Sequence, residues 1–350
     1  MKISGLGRFV LCVFFLLLVG YVVASPPKGS YHLLKKVPLG AAEGGDEYYD
    51  LVTAEPSLRR VYLTHGAEVN VINADTGAEV GKVTGMKKNH GVAVVPEFGK
   101  GFITDGGTNE VVIFDLKTLK ITGRVKTDAG PDCIMYDPAS KHVFSLNGDS
   151  KDATVIDPKS ETVVATLPLG GTPECAVADG KGTIYDNIES GNEVAVIDSS
   201  TLKIKAHWPV APAGTPGGLA MDIEHRRLFI AGGDPTMFVV MNADNGQIIQ
   251  SFPISNGQDA TAFDPGTGLV FISTRAGVIH IFHEDSPDKY SVVDPVATEY
   301  GAKCMALDPK THKLFLTTSD FGPAPAPTAQ QPHPNPARVP GAFRLLIVGT

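Results

Sequence analysis

One position in this chain is aromatic seven times over: Tyr62, Phe102, Phe144, Tyr185, Phe229, Phe271 and Phe315. A second series marks the same period. Asp137, Asp179, Asp222, Asp264 and Asp308 follow one another at steps of 42 to 44 residues. A period in this range, carried through most of a chain, restricts the fold to stacked or radially arranged supersecondary units. The stretch Pro131–Thr172 shows what one unit contains. Four short apolar runs, Cys133–Tyr136, Val143–Leu146, Ala153–Ile156 and Val163–Leu167, are separated by Asp137-Pro138, Asn147-Gly148 and Asp157-Pro158, and Gly170-Gly171 ends the unit. Short β-rich runs cut by turn dipeptides predict a four-stranded antiparallel meander.

Seven such units follow in order: Asp50–Lys88, His90–Gly130, Pro131–Thr172, Pro173–Thr215, Pro216–Gly257, Gln258–Gly301 and Ala302–Thr350. The expected fold is therefore all-β: a seven-bladed β-propeller of four-stranded blades. The aromatic series is expected to fill the space between adjacent sheets. The last unit contains only three strands. Tyr31–Leu39 (YHLLKKVPL) matches the last strand of a unit and is predicted to close the last blade, which removes a free edge. Residues 25–350 are expected to form one domain. Phe321–Gly341, dense in proline, interrupts the last blade; it cannot form sheet and is expected to lie as an ordered loop over one face.

The first 24 residues read as a secretory signal peptide. Lys2 and Arg8 precede the apolar run Phe9–Val23, and Val22-Val23-Ala24 before Ser25 resembles a small-residue cleavage site. Neither a membrane span after that signal nor a destination other than periplasm or medium is expected. Of the four cysteines, Cys12 falls in the signal, leaving Cys133, Cys175 and Cys304. An odd number cannot pair fully within one chain. Cys133 and Cys175, on neighbouring units, are expected to lie too far apart for a disulfide. No CxxCH is present, so covalent c-type haem is excluded. The formal charge of −8 and the absence of a basic run argue against nucleic acid as a partner.

Units such as VVIFDLKT, ATVIDPKS and VAVIDSST, each followed by a polar turn, resemble the YVTN-type (YncE-like) propeller repeats of exported bacterial proteins. The resemblance spans Tyr31–Thr350, and FGPAPAPTAQQPHPNP followed by FRLLIVG is similar to the last blade of bacterial members. It implies an exported seven-bladed propeller. Related propellers include sugar lactonases, dehydrogenase subunits and haem d1-binding domains, so it implies no single activity and no catalytic residue.

Candidate site residues come from the repeat itself. Inner strands line the channel of a propeller, and their opening positions carry Asp50, His90, Asp132, Glu174, Gly217, Asp259 and Lys303. Four carboxylates, an imidazole and an ammonium are thus expected around one mouth. His65, Asn187 and Arg275 are expected to add to that face from loops between second and third strands. Carboxylate and imidazole ligands suit a divalent cation, with His90, Asp132 and Glu174 as its candidate ligands. No GxSxG, P-loop, HExxH or Rossmann fingerprint occurs. The reading that follows is a monomeric, non-catalytic binding scaffold for a small ligand, a cation or a protein partner, with no cofactor required. The alternatives are a lactonase-like, metal-dependent hydrolase and a periplasmic redox partner that binds haem d1.

Overall fold

In the computed structural model, residues 30–326, 328 and 334–350 are described. The proposed signal peptide lies outside them, as does the tip of the proline-rich segment. Seven four-stranded antiparallel sheets form the molecule. The first blade runs outward from the inner strand Tyr49–Glu55 through Arg60–His65 and Glu68–Asn73 to Glu79–Thr84. The other inner strands are Asn89–Val95, Pro131–Asp137, Pro173–Ala178, Pro216–Asp222, Gln258–Asp264 and Met305–Asp308. Each inner strand contacts the next, and Met305–Asp308 returns to Tyr49–Glu55, so the ring is closed. His32–Pro38 pairs antiparallel with Arg344–Gly349 as the outer strand of the last blade. The fold and its closure are those expected from the repeat.

Strand position in the blade explains the residue pattern. The two middle strands of a blade are covered on both faces by neighbouring blades. His142–Asn147 and Asp152–Asp157 are therefore buried along almost their whole length and read as continuous apolar runs rather than alternating ones. Outer strands face solvent on one side, and Lys203–Pro209 alternates exposed and half-buried residues accordingly. All seven repeat aromatics are buried. Tyr62, for example, joins Val92, Ile103 and Phe114 of the next blade. Burying each such ring contributes about 2 kcal/mol.

The recurring aspartate is a turn builder. Asp137 accepts hydrogen bonds from the Ala139 and Ser140 amides at 3.2 and 2.9 Å. The same device closes the turn after the third strand, where Asp157 accepts from Lys159 N at 2.8 Å and Asp198 from Thr201 N at 2.9 Å. A side chain that mimics a backbone acceptor fixes the turn locally. Regular turns at both ends give each blade the same length and bring equivalent residues to the same height in the channel.

Candidate functional site at the channel mouth

A break in strand pairing, repeated around the ring, builds the mouth. In six blades the ladder between inner and second strands slips near its start: between Tyr49 and Val52, Asn89 and Val92, Pro131 and Ile134, Pro173 and Ala176, Pro216 and Leu219, and Gln258 and Ala260. A β-bulge frees residues from the ladder and re-aims their side chains. The freed residues are the ones the repeat singled out: Asp50, His90, Asp132, Glu174, Gly217 and Asp259. In the seventh blade, Lys303 and Cys304 stand just before the short inner strand. Second-strand side chains hold the loosened backbone. Thr104 donates to Asp132 O at 2.5 Å and accepts from Gly91 N at 2.8 Å. Asn187 donates to Gly217 O and Gly218 O of the next blade, at 2.8 and 3.3 Å.

A cavity of about 200 Å³ opens between these residues, lined by Tyr48, Asp50, Asp132, Glu174, Asp259 and Lys303, with Leu51 and Cys175 beneath. One half of its rim is charge-balanced. Lys303 Nζ lies 2.6 Å from Asp259 and 3.8 Å from Asp50. His90 Nδ1 lies 2.8 Å from Asp50 Oδ2 and 3.1 Å from the Tyr48 hydroxyl, which itself bonds Asp50. The Cys304 thiol donates to Asp259 at 3.0 Å. Burial alone would raise the Asp50 pKa, but the His90 bond and the Lys303 charge hold it below its ordinary value. Burial likewise opposes a charged His90, and the Asp50 bond with the Asp132 charge overcomes it, so the imidazole pKa is raised. The result is an imidazole–carboxylate–ammonium chain.

The other half is not balanced. Glu174 makes no hydrogen bond or ion pair among the described residues. Burial, reinforced by the Asp132 and Asp259 charges, pushes its pKa up to about 9. Asp132 is pushed up to about 6 by burial and then by Asp50, with His90 and Lys303 opposing. Its side chain is wetted by the cavity, 43% exposed, and reaches His90 Nδ1 at 3.4 Å. Asp50, His90 and Asp132 each offer a ligand atom within 4.8 Å of the others; Glu174 lines the same cavity but joins no such group.

The loop-borne candidates do not line this cavity. His65 is buried, 3.1 Å from Glu47 and stacked on Phe343 at 3.8 Å between ring centroids. Asn187 is the cross-blade strut described above. Arg275 bonds Asn335 at 3.0 Å and so anchors the returning limb of the proline-rich segment. That limb crosses the mouth face, with Arg338 over the rings of Tyr48 and Tyr49 at 5.3 and 4.6 Å. Cys133 and Cys175 were expected to lie too far apart for a disulfide, and both are free; the neighbouring Cys133 and burial raise the Cys175 pKa. Tyr48 escaped sequence reasoning because it precedes the repeat position. Its only signal was a tyrosine in the loop that leads into an inner strand.

No family model matches this chain. It is 24% identical over 189 residues to "Antigen Lp49" of Leptospira interrogans, an alignment that takes in 52% of this chain and 41% of that protein. The chain thus spans less than half the length of the curated relative it matches. Among solved structures it superposes on Kuenenia stuttgartiensis hydrazine synthase with a TM-score of 0.69 at 13% identity, covering 77% of this chain and 92% of that one. A likeness at that identity carries the propeller fold and nothing finer.

Proposed function

We propose that this chain is an exported binding propeller that takes a small cation at its channel mouth. The observation that carries the reading is the unbalanced half of the rim: Glu174 without a partner and Asp132 with one long contact, both facing the cavity. A cavity of about 200 Å³ is smaller than the roughly 300–1,000 Å³ of sites for larger organic ligands. A divalent cation or a compact amine fits that space and supplies the missing positive charge. Export is supported by the amino-terminal sequence and by the relative whose name describes an antigen; periplasm and medium are equally consistent with both. The test is calorimetry with Ca²⁺ alone and with ethylenediammonium alone. One of the two binds the wild-type protein, and D132N/E174Q loses at least 30-fold in affinity for it. Unchanged affinity in a folded double variant would remove the site.

A second reading is favoured by the grouping of Asp50, His90 and Asp132. Three ligand atoms beside a protonated Glu174 form the pieces of a metal-dependent hydrolase. Lactone or ester hydrolysis that needs added metal, and that H90A abolishes, would support it.

A further inference from the structure

The turns between inner and second strands, on the face away from the mouth, carry an ion pair across three of the blade boundaries. Three of the aspartates that end inner strands meet a cation from the next blade. Asp308 meets Arg59 at 2.7 Å, Asp179 meets Arg226 at 3.2 Å, and Asp264 meets His312 at 2.6 Å. Arg59, Arg226 and His312 occupy one turn position, each with positive φ, near 54°, 58° and 58°. In the sixth blade that position is Gly268, also at positive φ. Asp222, like Asp137 opposite Gly182, therefore faces a turn with no side chain where Asp308, Asp179 and Asp264 find a guanidinium or an imidazole. A cavity of about 430 Å³ stands there, lined by Asp222, His225, Gly266, Gly268, His283 and Glu284 among others.

What projects towards Asp222 from the sixth blade is a second acid. Glu284 is 5% exposed, and its Oε1 is buried without a hydrogen bond. His225 Nδ1 stands 2.6 Å from Asp222 Oδ2 and 3.4 Å from that Oε1, with its ring at the solvent edge. All three donor atoms lie within 4.8 Å of one another. Burial and the Asp222 charge push the Glu284 carboxyl up to about 7, as expected for two acids placed together without a balancing charge.

We propose that Asp222, His225 and Glu284 form a divalent transition-metal site between the fifth and sixth blades, zinc being the best match. Carboxylate oxygens and imidazole nitrogen both ligate zinc, and three protein ligands leave a fourth position open. Here that position faces the cavity. The ion replaces the arginine or histidine that joins sister blades, so it ties the two blades together as well as offering a Lewis acid to a ligand.

The experiment uses protein stripped with chelator and titrated with Zn²⁺ alone, with Co²⁺ absorption as a second readout. D132N/E174Q serves as the background, so that the mouth does not contribute. One equivalent binds, and the Co²⁺ complex shows visible d–d bands. His225→Gln and Glu284→Gln each weaken Zn²⁺ at least 30-fold and remove those bands. Gly268→Arg installs the cation of the sister blades at a position where arginine is already tolerated; it abolishes zinc binding while the protein stays folded. Absence of binding, or binding that none of the three substitutions changes, overturns the proposal.

Discussion

The two halves of the channel mouth are built from the same bulge in the same repeat, yet they settle their charge in opposite ways. Around Asp50 and Asp259, cations lie within hydrogen-bonding or ion-pair reach, and Asp50 is held below its ordinary pKa. Around Asp132 and Glu174 no ammonium or guanidinium lies close, and these groups hold protons at higher pH instead. Geometry common to all blades therefore does not decide chemistry. The neighbour in ring order does. Lys303 stands between Asp259 and Asp50, whereas Glu174 has Gly217 on one side and Asp132 on the other. The balanced half contributes to holding the ring, whereas the unbalanced half leaves its carboxyls facing the cavity.

The largest effect should come from breaking the balanced half. Lys303→Met leaves Asp259 and Asp50 without their ammonium in a buried setting and should cost about 3 kcal/mol, since removing one member of a buried pair strands the other. Urea denaturation measures it, and a loss near zero would show that the two halves do not differ. Next comes Glu174→Gln. The folded state holds this carboxyl protonated while the unfolded chain ionises it above its ordinary pKa. Its destabilising contribution is thus absent at low pH and grows as pH rises from about 4.5 to about 9. The glutamine, an isostere of the protonated acid, should be more stable than the wild type at pH 8 and almost unchanged at pH 4. Equal gains at both pH values would place the effect in packing rather than charge. The smallest effect expected is that of Arg338→Ala, about 1 kcal/mol, from losing its contacts over Tyr48 and Tyr49. Faster proteolysis of the proline-rich segment should accompany it.

The fold was legible because turn aspartates and inter-blade aromatics recur with the period of the structure. The mouth was legible for the same reason: Asp50, His90, Asp132, Glu174, Asp259 and Lys303 were found by repeat position alone. What repeat position could not reveal was direction. His65 and Asn187 sit at polar turn positions, but one packs under Phe343 and the other braces the next blade. Both were ambiguous because a polar residue beside a turn serves backbone and ligand alike. The Asp222 cluster was missed because its signal is a missing side chain, Gly268, on a different blade from two of its ligands.

The central claim is that the unbalanced carboxyls bind a cation, and proton release tests it most directly. Calorimetry with Ca²⁺ at pH 7.5, in two buffers of different ionisation enthalpy, counts the protons set free. Asp132 is largely ionised there and Glu174 largely protonated, so binding should release about one proton and tighten as pH rises from 6 to 9. Glu174→Gln should abolish that release. Binding with no proton released, or release that persists in Glu174→Gln, would contradict the account.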